Sequence, residues 1–338
     1  MIRKLAFFSL LLALFVVVLG AYVRLSDAGL GCPDWPGCYG HLSPHHAKEK
    51  ILAAHAADTD GPVSMPKAWK EMVHRYLASF LGLLILIVAW LSLRRWRREG
   101  VTAAAPLLLV GIVIFQGMLG MWTVTLLLKP AIVTLHLLGG LAVLGTLTWI
   151  WMRESGVARH AAGFSLSLLA RGALLLLVLQ IALGGWVSTN YAALACPDFP
   201  TCQNSWLPGM DFENAFHVFR ELGRTAEGEI LPAAAMTAIH WAHRVGAIIV
   251  GAYLLMFAWR LMRYEELRGL ALGLAFAVLL QISLGISNVV FSLPLAIAVA
   301  HNAVAALLVM LLVGINFRLR GVRAGAHMER IWNERLAA

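Results

Sequence analysis

Eight stretches of this 338-residue chain are apolar enough, and long enough, to cross roughly 30 Å of hydrocarbon. They lie at about 5–24, 69–93, 103–127, 131–152, 166–188, 236–262, 268–291 and 294–317. A segment in lipid must satisfy its own backbone hydrogen bonds, so each is expected to be a helix. Charge content agrees, at 13% against about 25% for a soluble domain, and mean hydropathy is +0.77. The expected fold class is therefore an all-α integral membrane protein with eight transmembrane helices. Met1-Ile-Arg-Lys before an apolar run also suits a signal peptide, but no convincing small-residue cleavage site follows, so the first helix is expected to stay.

Arginine placement orients the chain. With the N-terminus inside, the inner segments carry Arg3, Lys4, Arg94, Arg95, Arg97, Arg98, Arg153, Arg159, Arg260, Arg263, Arg268, Arg318, Arg320, Arg323, Arg330 and Arg335. The short outer turns hold little beyond Lys129. This is the positive-inside pattern of a cytoplasmic membrane protein with both termini cytoplasmic. It accounts for most of the net charge of +9, which is no sign of nucleic-acid binding.

The chain is also a duplication. Cys32-Pro-Asp-Trp-Pro-Gly-Cys38 returns as Cys196-Pro-Asp-Phe-Pro-Thr-Cys202, from 32 to 196, a shift of 164. His74-Arg75 returns as His243-Arg244, a shift of 169, and His136 as His301, a shift of 165. Near-constant spacing across three signals means a repeated unit. Two pseudo-symmetric four-helix bundles are expected, residues 1–160 and 161–338. Gln-x-x-Leu-Gly recurs at Gln116–Gly120, Gln180–Gly184 and Gln281–Gly285. Its glycine lets a neighbouring helix, or a flat cofactor, come close. A short amphipathic helix is expected at 211–224.

Both cysteine pairs fall in long outer segments, about 25–68 and 189–235. An oxidising compartment favours two local disulfides. Zinc is the rival reading, with His41, His45 and His46 close to the first pair. Whether the pairs staple loops or also exchange electrons is open at this level.

Ionisable groups inside a bilayer are functional candidates by default. His74 and His243 sit one to two turns inside the outer ends of their helices, and His136 and His301 lie at similar depth. His74 can thus face His136, and His243 can face His301. Two imidazoles on facing helices can clamp a haem iron, whereas zinc or copper wants further protein ligands. Arg75 and Arg244 are candidate partners for haem propionates, as is Arg24, and snorkelling to headgroups is the plain alternative. Glu71, three residues before His74, projects from the same helical face. A carboxylate there can move protons or stabilise positive charge; an exposed helix-start residue is the competing reading. The second half has His240 in that place, a possible alternative ligand, although His243 alone shares the His-Arg register. His41, His45, His46 and His55 receive no role.

Gly20-Ala-Tyr-Val-Arg-Leu-Ser-Asp-Ala-Gly-Leu-Gly-Cys-Pro-Asp-Trp-Pro-Gly-Cys38, Glu71-Met-Val-His-Arg75, His243-Arg244 and the paired His136 and His301 together resemble the haem A synthase family over essentially the whole chain. The resemblance implies eight helices in two bundles and oxidation of the C8 methyl of haem O to a formyl group. It implies hydroxylated intermediates, water as the oxygen source, and haem A for terminal oxidases as the product. It places a haem b cofactor on His243 and His301 and the substrate haem between His74 and His136, with Glu71 as catalytic carboxylate. Expected partners are membrane lipid, an electron acceptor, the haem O synthase and a second copy of the chain. The reading from another class is a non-catalytic membrane cytochrome b that carries electrons. A membrane thiol-disulfide oxidoreductase would want a Cys-x-x-Cys pair, and a transporter would want broken helices; neither is evident.

Overall fold

The computed structural model describes residues 1–160 and 163–320. Arg323, Arg330 and Arg335, part of the inner positive charge, lie outside the described residues. The helices are α1 (Ile2–Leu25), α2 (Lys48–Ala57), α3 (Met65–Glu99), α4 (Ala104–Thr125), α5 (Pro130–Glu154), α6 (Phe164–Thr189), α7 (Phe212–Ala215), α8 (Ala233–Leu261), α9 (Arg268–Val290) and α10 (Leu295–Leu319), with a 3-10 turn at Glu265–Leu267. All but α2 and α7 are long and apolar enough to span a membrane, which makes the expected eight among the described residues.

Local chemistry sets the helix ends. The Ser64 hydroxyl accepts from Lys67 N–H at 3.4 Å at the start of α3, beside Pro66. Gly100 ends that helix in the left-handed region, at φ 70°. The two turns before Pro130 and Pro294 are copies of each other. In one, Leu128 N–H bonds Thr123 O at 2.8 Å; in the other, Leu293 N–H bonds Asn288 O at 2.7 Å. Leu127, Leu128, Ser292 and Leu293 all take positive φ there.

In the first half α1 packs on α3 and α5, and α4 packs on α5 and α3. In the second, α6 packs on α8 and α10, and α9 on α10 and α8. The halves meet through α5 against α10, flanked by α1 against α10 and α5 against α6. That is the arrangement of two parallel repeats about a central axis. Its core includes Leu144, Leu147, Ile150, Phe257, Leu308, Leu312 and Ile315, all buried. On the outside, Phe8, Leu108, Ile248 and Phe276 are each more than 60% exposed, a surface suited to hydrocarbon rather than water. At the cysteine-loop end Arg24 donates to Ser188 O at 2.7 Å and stacks over the Tyr191 ring. Tyr191 donates to Asp27 Oδ1 at 2.9 Å. Both bonds join equivalent positions of the two repeats, 164 residues apart.

Three details depart from the sequence expectation. Helix α3 runs six residues past the expected end at 93, because Arg95 finds Glu99 at 3.4 Å and Glu154 at 2.6 Å, so the basic turn stays helical. The helix expected at 211–224 is only the single turn α7. Beyond it the chain bonds to itself, Thr225 N–H to Glu229 O and Leu231 N–H to Gly223 O. Helix α2 arises where a loop was expected, in Lys-Glu-Lys-Ile-Leu-Ala-Ala, a run of good helix formers.

Candidate functional site

Each cysteine pair closes a disulfide, Cys32–Cys38 and Cys196–Cys202. The sulfurs are thereby withdrawn from any zinc site. Inside each loop an aspartate gathers backbone N–H groups: Asp34 those of Tyr39 and Gly40, Asp198 those of Gln203 and Asn204. Cys38 exchanges backbone hydrogen bonds with His41, and Cys202 does so with Ser205. The two loops are structural copies.

The arginines after the histidines anchor those loops. Arg75 Nη1 donates to Asp34 O at 2.8 Å and Gly37 O at 2.6 Å, and Nη2 pairs with Glu71. Arg244 donates to Asp198 O at 2.9 Å, Thr201 O at 2.8 Å and Cys196 O at 2.8 Å. These guanidinium groups, and that of Arg24, therefore already have protein partners. Glu71 is 4% exposed and accepts from Cys32 N–H at 2.9 Å, so it is no solvated helix-start residue. His240 does the same work in the other half. Cys196 N–H lies 3.3 Å from its Nδ1, and Arg244 Nε 3.3 Å from its Nε2. A neutral imidazole has one acceptor nitrogen, so it accepts one of the two at a time. His240 thus faces the loop, in the place Glu71 holds in the first half.

The remaining histidines form two matching pairs. His74 on α3 and His136 on α5 lie within electrostatic reach of each other, as do His243 on α8 and His301 on α10. All four histidines are half-buried. Every ring rests its Cε1 edge on a glycine of a neighbouring helix. A Cβ at Gly20 would stand 2.9 Å from His74, at Gly120 3.2 Å from His136, at Gly184 3.0 Å from His243 and at Gly285 3.1 Å from His301. One turn before three of these glycines a glutamine reaches the same histidine. Gln116 Nε2 donates to His136 O at 2.7 Å, and Gln180 Nε2 to His243 O at 2.9 Å. Gln281 Nε2 lies 3.1 Å from His301 Nε2. Gln-x-x-Leu-Gly is thus a histidine-seating motif.

Gly20 belongs to the same set but escaped the sequence reading, because Val16 stands where the glutamine would be. A duplicated His-glycine register, with α1 laid over α6, was the signal that could have found it.

This donor set discriminates among metals. Among the described residues no group of three or more His, Cys, Asp or Glu side chains comes together. An iron that brings four nitrogens of its own needs only two imidazoles. His74, His136 and His301 each keep a buried Nδ1 without a protein partner among the described residues. Two imidazoles per site, seated on glycines, fit a haem and fall short of what zinc requires.

Known proteins resemble nearly the whole chain. The family model described as COX15-CtaA, cytochrome oxidase assembly protein, matches residues 3–313. A protein of Shewanella oneidensis named heme A synthase is 45% identical over 314 residues, covering 92% of this chain and 94% of that one. Proteins of the same name from Halalkalibacterium halodurans and Rhizorhabdus wittichii are 26% and 28% identical, covering 90% and 87% of this chain and 94% and 86% of theirs.

Proposed function

The chain belongs to the COX15-CtaA family of cytochrome oxidase assembly proteins, which includes haem A synthases, and on that premise we propose that it is the oxidoreductase that turns haem O into haem A. The C8 methyl of the substrate becomes a formyl group through hydroxylated stages. Water supplies the oxygen, and electrons and protons are released. The observation that carries the reading is a pair of equivalent two-histidine sites whose neighbours differ in chemistry, Glu71 in one and His240 in the other.

In this account His74 and His136 hold the substrate haem O, and His243 and His301 hold a haem b cofactor. Haem b, when bound, supplies a one-electron carrier between the substrate and an external acceptor. Gly20, Gly120, Gly184 and Gly285 fix the ring positions, since each imidazole edge rests on bare backbone. Gln116 and Gln180 hold the histidine main chain from one turn away. Glu71 lies one turn from His74, its oxygens aimed by Arg75 and Cys32 N–H. A carboxylate so fixed can stabilise positive charge developing on the substrate or accept a proton at Oε1 or Oε2. Arg75 and Arg244 hold the loops against α3 and α8. The positive-inside pattern supports cytoplasmic termini and extracytoplasmic loops in the cytoplasmic membrane. A substrate this insoluble favours direct transfer from the haem O synthase.

The test is extraction and mass analysis of haems from protein produced with haem O supplied. Wild type should yield haem B together with haem A or its hydroxylated precursors. Glu71→Ala should yield haem B and unreacted haem O. Haem B alone in both proteins would favour the electron-carrier reading.

A further inference from the structure

A polar cavity of about 290 Å³ lies at the cysteine-loop end, where the two halves meet. Lys129, the residue just before α5, lies on one side, and the loop after α7 supplies Phe219, Arg220, Glu221, Arg224 and Thr225. Nothing in the proposed chemistry uses it. Three cations face one carboxylate, so its walls carry a net positive charge.

Arg220 is the informative residue. It is 4% exposed, and among the described residues no carboxylate lies within 4.0 Å of it. Its contacts are neutral: Nη2 donates to Asn190 Oδ1 at 2.6 Å, Nη1 to Arg224 O at 3.2 Å, and the guanidinium sits 5.5 Å from the Trp186 ring. Its Nε and the neighbouring Thr225 Oγ1 are buried without any partner among the described residues. A buried guanidinium does not lose its proton, so its charge calls for an anion. An orphaned N–H and an orphaned hydroxyl beside it are the donors such an anion would use.

The rim says which anion. Phe219 is 90% exposed, Val218 50% and Ile230 84%, an apolar fringe at the level where the spanning helices end. Aromatic and aliphatic tips next to basic groups are the pattern of a membrane interface, where acyl chains and phosphates meet. We propose that this cavity binds the phosphodiester headgroup of an anionic phospholipid, with Arg220, Lys129 and Arg224 around the phosphate and Phe219 at the edge of the acyl region. Such a lipid would bridge α5 of the first half and the α7 loop of the second.

The test uses the full chain, purified in non-ionic detergent and stripped of lipid. Phosphatidylglycerol, phosphatidylcholine or inorganic phosphate is then titrated while thermal unfolding is followed. Phosphatidylglycerol should raise the Tm saturably and phosphatidylcholine should not. Lys129→Gln/Arg224→Gln changes no fully buried residue and removes one loop bond, Arg224 Nη1 to Gly228 O at 2.7 Å, so the lipid-free Tm should fall by no more than a few degrees. Its apparent affinity for phosphatidylglycerol should fall roughly thirtyfold, at about one interfacial charge contribution per cation. Arg220→Gln should lose the lipid response altogether. An unchanged affinity in the double variant, or equal stabilisation by phosphatidylcholine, overturns the proposal. A full response to inorganic phosphate alone overturns its assignment to a lipid.

Discussion

Gly184→Ala should strip haem b from the second half while leaving the fold in place. The added methyl would stand 3.0 Å from His243 Cε1, against an ordinary carbon–carbon separation of about 3.5–4.0 Å. The imidazole or α6 must therefore yield by a few tenths of an ångström. Overpacking of this kind costs about 1–3 kcal/mol. The ring has to regain its place whenever iron is held, so the cost falls on cofactor binding and corresponds to roughly 5- to 150-fold in affinity. Alanine also helps a helix by up to about 1 kcal/mol relative to glycine, which protects overall stability. The assay is haem b per polypeptide, from the optical spectrum and extracted pigment, during competition with an apo haem scavenger. Gly117→Ala is the control, because nothing lies within 4 Å of a Cβ there. Full haem b retention in Gly184→Ala, at wild-type affinity, would refute the argument that glycine seats the ligand.

Four further outcomes follow. Gly20→Ala, with its Cβ 2.9 Å from His74, should keep haem b and lose product, which haem extraction reads directly. Arg244→Gln loses donors to three loop carbonyls and should cost about 2–4 kcal/mol, seen as a lower Tm and as faster proteolysis near 196–205. Glu71→Gln keeps one acceptor oxygen where the carboxylate offers one to Cys32 N–H and one to Arg75, so it should lower the Tm, still fold and abolish turnover. If activity survives, the carboxylate's part is only to hold the loop. Asp198 is held below its ordinary carboxyl range by the Thr201 hydroxyl, then by the amides of Asn204 and Gln203. A depressed folded value gives stability that is present above the unfolded value and lost as pH falls through the folded one. Loop protection from proteolysis should therefore persist at pH 5, fail only in stronger acid, and be lower at pH 5 in Asp198→Ala.

Residue type carried most of what could be read in advance. The eight spans were legible because lipid tolerates few charges, and the duplication because Cys-Pro-Asp and His-Arg are rare combinations at fixed spacing. The disulfides followed from the spacing of the cysteines and from the oxidising compartment expected for their loops. What stayed hidden depended on where backbone carbonyls lie in three dimensions. Sequence displays the charge of Arg75 and Arg244 but not the loop carbonyls of Asp34, Gly37, Cys196 and Thr201 that they hold. Glu71 left burial undecided for the same reason, since Cys32 N–H comes from a segment 39 residues away. Gln-x-x-Leu-Gly was visible as a repeat, but its use as a seat for imidazole required knowing which helix faces which.

The central claim is that two look-alike sites hold different haems for different purposes. Its most direct measurement is the extracted haem content of His136→Ala beside that of His301→Ala, each produced with haem O supplied. The account predicts that His136→Ala retains haem B and makes no haem A, while His301→Ala loses haem B. Loss of haem B in His136→Ala, or its full retention in His301→Ala, would contradict it.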